Sequence, residues 1–326
     1  MLALSFPLPL WERESSKRPE HFSMSSSPSD THHTTRPLDA FAVALTVLLC
    51  LSWGFNQVAV KLAIHDIPPL LQGAIRSVVA AIIVALWCRL RGIPLFARDG
   101  TLWPGLAAGF TFGVEFLCIY QGLAYTTATR AVLFIYLAPF FVVLGARIFL
   151  PADRFKLWQW IGLCLSFAGM LVAFGLPTPA LDPRQTLGDI LMIGGALTWA
   201  ITTLIIKASR LNTTSAEKVM LYQLVISAPM LALGAFAAGE TMTHVPDALA
   251  LGALAYQTVW VVSVTFVIWF WLIKNYSANR LSAFSFLTPL FGVAAGHLVL
   301  GDPLTYAFAA AVALVAGGLV LVNRPR

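Results

Sequence analysis

From about residue 40 onward the chain is built of long, continuous apolar runs, with polar positions confined to the short breaks between them. Runs at 40–62, 70–88, 102–122, 128–149, 157–175, 187–207, 217–238, 248–272, 281–300 and 304–322 can be drawn. A helix crossing a bilayer core about 30 Å thick takes about 20 residues at about 1.5 Å each, which is the length of these runs. A membrane barrel would instead need alternating segments of about 10 residues. Pro68-Pro69, the set Pro177, Pro179 and Pro183, and Gly301-Asp302-Pro303 punctuate the breaks, because Pro ends a helix and Gly lets the chain reverse. The pattern predicts an all-α membrane protein with ten transmembrane helices.

The runs repeat. Cys50 to Ala63 reads CLSWGFNQVAVKLA and Ala196 to Ser209 reads ALTWAITTLIIKAS, so Trp53 with Lys61 is echoed by Trp199 with Lys207 at an offset of 146 residues. Arg130 precedes Pro139 as Arg280 precedes Pro289, at an offset of 150. Such a repeat predicts two halves built alike, 37–177 and 184–324, behind a Ser-, Thr- and Pro-rich leader at 1–36 that is expected to be disordered. Met24 is a second candidate start. Five spans per half is an odd number, so the second half enters the bilayer from the opposite side. The expected fold is two inverted five-helix repeats, an arrangement that holds substrate near the midplane between the repeats.

Composition changes the picture only by exclusion. Hydrophobic residues make up 58% and charged residues 11%, against about 25% charged in soluble domains. The net charge of +6 is spread over loops and carries no nucleic-acid signal. With the N-terminus in the cytoplasm, seventeen Lys and Arg fall on inside segments and three outside, with Arg76 inside a span. The positive-inside rule therefore places both termini in the cytoplasm of a multi-pass protein of the plasma membrane, the inner membrane in a bacterium. Cys50, Cys88, Cys118 and Cys164 have no metal spacing, and no phosphate loop or His-Glu-x-x-His helix occurs, so neither metal nor cofactor is expected.

At the level of motifs, LSWGFNQVAVKLA, the Arg76 of GAIRSVVAA and AYTTATRAVLFIYLAPFF resemble the EamA-type transporters of the drug/metabolite superfamily. So do LTWAITTLIIKAS, FSFLTPLFGVAAGHLVLGD and AGGLVLV in the second half. The resemblance spans about residues 40–323 and implies ten helices, no ATP site, and export or import of small metabolites, often amino acids or related compounds. One departure is that the acidic residue such proteins place after the fourth and ninth spans is Asp302 in the second half, but is shifted within Pro151-Ala152-Asp153 in the first.

Polar residues inside the spans mark the candidate chemistry, since an ionisable group at the bilayer centre costs roughly 2.5–3.5 kcal/mol or more. Arg76 and Glu115 fall at similar depth and have no charged counterparts in the other half, so they are candidates for substrate coupling or for a static ion pair. Gly105, Gly109 and Gly113 form a small-residue packing face, and Glu115 lies about 200° from that seam, pointing toward a cavity or a buried partner. Trp53, Asn56 and Gln57, with Trp199, Thr202 and Thr203, are expected to wall the substrate pathway, against the alternative of simple packing. Pro139 and Pro289 are expected to shape their helices. Lys61 and Lys207 are expected to snorkel. The function read from this is a secondary transporter, an exporter of small metabolites working by alternating access. Its partners are a small-molecule substrate and the lipid bilayer, with a proton as candidate coupling ion and the oligomeric state open. A membrane-embedded enzyme, a non-transporting receptor and a nucleotide-sugar-type antiporter are the alternatives.

Overall fold

The computed structural model describes residues 38–150, 155–177, 182–301 and 305–324. The leader, Met24, Pro179, Asp302, Pro303 and the Pro151-Ala152-Asp153 stretch fall outside these residues. Among the described residues no strand forms, and ten helices are long and apolar enough to cross a membrane. In order they are α1 (Ala40–Ala63), α2 (Pro69–Leu90), α3 (Leu102–Tyr125), α4 with α5 (Ala128–Ile135, Ala138–Phe149), α6 (Leu157–Phe174) and α7 (Pro183–Ala208). After α7 come α8 (Ala216–Ala237), a composite eighth span, α11 with α12 (Ala278–Phe284, Leu287–Leu300) and α13 (Tyr306–Asn323). The eighth span joins α9 (Ala248–Ala255) to α10 (Phe266–Asn275) through a π-helical segment, Tyr256–Thr265.

Helix starts follow from local chemistry. Asp39, Thr127, Asp182, Ser215, Asp247 and Ser277 each accept a hydrogen bond from a backbone N–H in the first turn of the helix they precede. Pro69 and Pro183 occupy first-turn positions, where the missing N–H costs nothing. The fourth and ninth spans are broken rather than continuous, at Tyr136-Leu137 and Ser285-Phe286. Pro139 and Pro289 lie just past these breaks; each removes the N–H that would bond the carbonyl four residues back and crowds that carbonyl. Phe286, fully buried, plugs the space between the two broken spans, with Tyr136, Phe140 and Phe167 around it at ring-centroid distances of 6.2, 6.5 and 6.3 Å. The Cys50 thiol donates to the Phe284 carbonyl at 3.3 Å, beside the ninth-span break.

Packing pairs the first span with the eighth and ninth, the second with the seventh and eighth, and the third with the sixth and seventh. The fourth packs on the sixth, and the fifth on the tenth. Renumbering every span by five maps this set of pairings onto itself. Gly105, Gly109 and Gly113 face Tyr222, Ile226 and Met230 of α8, so the small-residue seam is the α3–α8 contact. Gly54 marks the crossing of α1 with α12, where a Cβ would come within 2.7 Å of Gly292 N and the Thr288 carbonyl.

Loops at the two ends are tied by acidic side chains. On one face, Asp66 accepts from the Asp247 backbone N–H at 2.7 Å and sits 3.0 Å from His244 Nε2, and the Leu71 N–H donates to Glu240. On the other, Lys218 donates to Asp99 at 2.7 Å, and Thr101 also donates to Asp99. The Asp247 N–H foremost holds Asp66 below its ordinary carboxylate value, and Lys218 does the same for Asp99. Both shifts are downward, so the stability they contribute is complete above about pH 4, the ordinary Asp value, and is lost only as pH falls through the lowered folded values. Single cysteines at Asp66 and Thr243 should therefore label from one side of the membrane, and those at Arg98 and Arg210 from the other. Labelling of Asp66→Cys and Thr243→Cys from opposite sides would refute this ten-span arrangement.

Candidate functional site: a central polar cavity

A cavity of about 610 Å³ lies at the centre of the bundle, lined by residues from all but the tenth span. This falls within the range of small-molecule sites, about 300–1,000 Å³. Its walls are largely apolar, with rings contributed by Phe112 and Phe116 on α3 and by Phe266, Trp269 and Phe270 on α10. It reaches the face that carries Asp66, where Lys61, Ile64, Leu123 and Phe174 border it. Toward the opposite face the lining stops at Thr203 and Phe270, and beyond them Ile206 and Ile273 are fully buried.

Trp53, Asn56, Gln57, Trp199, Thr202, Thr203, Arg76, Glu115 and Pro289 all border this cavity; Pro139 does not, and is buried among packed helices. Glu115 stands on the side of α3 opposite the glycine seam, as its helical offset requires. Arg76 and Glu115 are only 4% and 8% exposed, deep enough that a bulk-water environment is excluded. Each is within the other's electrostatic reach, yet no hydrogen bond or ion pair joins them among the described residues. The static ion pair is thus not what the structure contains. The Arg76 guanidinium instead stands 4.6 Å from the centroid of the Phe116 ring, a cation–π contact that leaves its donors available. Two further buried acceptors without partners border the same space: Asn56 Oδ1 and Gln223 Oε1. Buried acceptors without partners are rare because each costs about 1–3 kcal/mol.

The two Trp residues differ. Trp53 donates its indole N–H to Thr265 Oγ1 at 2.8 Å and meets Phe266 and Trp269 edge-on at 5.8 and 5.2 Å, so it both borders the cavity and packs. Trp199 contacts Tyr136 edge-on at 6.4 Å. The π-helical segment anchors the first span a second time, with the Tyr256 hydroxyl and Trp260 N–H both donating to Ser52, each at 3.0 Å. Ser263 Oγ donates to the Thr258 carbonyl five residues back, within the wide π turn. Polar side chains along an otherwise apolar run gave no sign of that wider winding, because the i→i+5 ladder is made by backbone groups common to every residue.

Lys207 corrects the snorkelling expectation. It is 7% exposed and its ammonium donates to the carbonyls of Ile273, Lys274 and Tyr276 at 2.6, 2.9 and 3.0 Å. Arg130 forms a buried ion pair with Asp189 of α7, and Thr126 donates to the same carboxylate at 2.7 Å. Asp189 was missed, although a carboxylate within the apolar run 187–207 is the same signal that singled out Glu115. Gln223 was missed because neutral polar residues are common in spans and only geometry shows which carry an atom without a partner.

A ten-helix apolar bundle holding a central cavity with buried charges is a membrane transport protein. The chain belongs to the EamA-like transporter family, whose model matches it twice, over residues 40–175 and 186–324. It is 23% identical over 286 residues to the uncharacterized transporter YoaV of Bacillus subtilis, covering 84% of this chain and 94% of that one. It is 27% identical over 287 residues to a probable amino-acid metabolite efflux pump of Escherichia coli, covering 84% and 92%. A crystal structure shares its fold with a TM-score of 0.73 at 20% identity, covering 87% of this chain and 96% of that one.

Removing the Asp189 carboxylate strands Arg130 in a buried site, which costs about 3–5 kcal/mol when a buried pair is broken. Asp189→Asn should accordingly lower the thermal midpoint by several degrees in detergent, and Arg130→Gln with Asp189→Asn should recover part of the loss. An unchanged midpoint in the single variant would show that the pair does not hold the fourth span to the sixth.

Proposed function

We propose that the protein is a secondary transporter, an exporter in the plasma membrane, that moves small zwitterionic metabolites such as amino acids by alternating access between two inverted repeats, 37–177 and 184–324. The observation that carries this reading is the pair Arg76 and Glu115, buried at one cavity, in electrostatic reach of each other and unbonded. A carboxylate and an ammonium on a small substrate are the groups that satisfy such a pair, and Asn56 and Gln223 supply further acceptors for the ammonium. The apolar walls accept an apolar side chain. In support of the repeats, the family model matches twice and the span pairings survive renumbering by five. Both termini lie in the cytoplasm on the positive-inside count, so the cavity as seen opens outward.

Glu115 is also the group able to carry a proton, because a carboxylate whose substrate ammonium has left can take up a proton in its place. Proton binding and substrate binding at one carboxylate would then exclude each other, which is the coupling an antiporter needs. A relative is named a probable amino-acid metabolite efflux pump, and that name agrees with the direction and class proposed.

Flux through proteoliposomes with a panel of zwitterionic, cationic and anionic amino-acid derivatives, with and without a pH gradient, tests this. Zwitterions should compete best. Loss of a charged hydrogen bond costs about 1.5–3 kcal/mol, or about 10- to 100-fold in affinity. Arg76→Gln and Glu115→Gln should each weaken substrate competition by that much, and Glu115→Gln should remove the response to the pH gradient. Wild-type competition in both variants would remove the pair from the site.

A further inference from the structure

The Lys at the end of each repeated motif is in a different state in the two halves. Lys207 is buried and holds three carbonyls at the C-terminal end of α10, a helix end whose last carbonyls have no partners of their own and which carries partial negative charge. Its counterpart Lys61 is exposed, borders the cavity mouth and makes no hydrogen bond among the described residues. The helix end that corresponds to α10 is that of α3, and the register is fixed by geometry as well as by sequence. Tyr276 N–H donates to the Leu272 carbonyl and Thr126 N–H to that of Gly122, both at 2.9 Å. Immediately afterwards Ser277 accepts from the Arg280 N–H and Thr127 from the Arg130 N–H, both at 3.3 Å. The carbonyls equivalent to those held by Lys207 are therefore those of Leu123, Ala124 and Thr126. Leu123, like Lys61, borders the cavity.

We propose that Lys61 and Lys207 form an alternating latch. In the state described here Lys207 pins the eighth span to the sixth and seals the cytoplasmic face. In the opposite state Lys61 donates three hydrogen bonds to the carbonyls of Leu123, Ala124 and Thr126, pinning the third span to the first, while Lys207 is released. The two latches are made of the same parts, a cation and a helix end, so neither state gains hydrogen bonds over the other when the cavity switches sides. The occupied latch lies beyond the point where the cavity lining stops, which is where a seal must lie. This rests on the alternating-access reading, and it assigns the residues that hold each end shut.

The test is a distance measurement on the full-length chain in nanodiscs, with spin labels at Ile64→Cys and Tyr125→Cys and with Cys118 and Cys164 replaced. Lys207→Met should raise the ratio of the short to the long separation by about tenfold or more, because three charged donors are lost from the long-separation state alone. Lys61→Met, at a side chain with no bonds to lose here, should deplete the short separation and slow solute exchange. A Lys207→Met protein that is merely less heat-stable with an unchanged distance ratio, or a Lys61→Met protein with wild-type distances and exchange, would overturn the latch. Redistribution in both variants without flux of any tested solute would uphold the latch while removing the transport reading.

Discussion

A polar group inside a bilayer has no water to bond, and the whole of this structure is arranged around that constraint. Helices satisfy their own backbone, and where the chain departs from helix the freed groups are buried in protein or turned to the cavity. The fourth and ninth spans break beside Pro139 and Pro289, and the breaks are closed over by Phe286 and its ring neighbours. The eighth span widens into a π-helix where Ser52, Thr265 and the indoles of Trp53 and Trp260 need partners. Lys207 closes the end of that span by bonding its carbonyls directly. Arg76 and Glu115, buried charges that no ion pair joins, share one cavity with the unpartnered acceptors of Asn56 and Gln223.

Burying a charge without a partner costs several kcal/mol, whereas a packed ion pair such as Arg130 with Asp189 offsets most of its own desolvation. Both situations occur in one chain at similar residue exposure. On the transport reading proposed above, the difference separates scaffold from site. Arg130 would fix the fourth span to the sixth whatever occupies the cavity, while the energy of Arg76 and Glu115 would depend on what lies between them. Stability held back at one place in this way becomes differential affinity for a ligand that supplies the missing charges.

Much of the fold was legible in the sequence because bilayer thickness sets span length and because the Trp-to-Lys and Arg-to-Pro motifs recur. All ten spans begin within a few residues of where the apolar runs do. The cavity residues Trp53, Asn56, Gln57, Trp199, Thr202 and Thr203 share helix faces, and helical periodicity exposes such faces directly. Other features depend on contacts between distant segments. The Asp189 partner of Arg130, the bonding of Lys207 and the separation of Arg76 from Glu115 are set by how spans cross, which local pattern does not encode. The breaks at Tyr136-Leu137 and Ser285-Phe286 lie between: the prolines announce a disturbance, and packing decides that it becomes a full interruption.

The central claim is that one cavity, shared by the two halves, is reached in turn from the two faces. Asn56→Cys, in a background without the four native cysteines, places a thiol on the cavity wall. An impermeant thiol reagent should label it in right-side-out and in inside-out vesicles alike, and a transported zwitterion should slow labelling from both sides. Labelling from one face only, unaffected by any solute, would contradict the account.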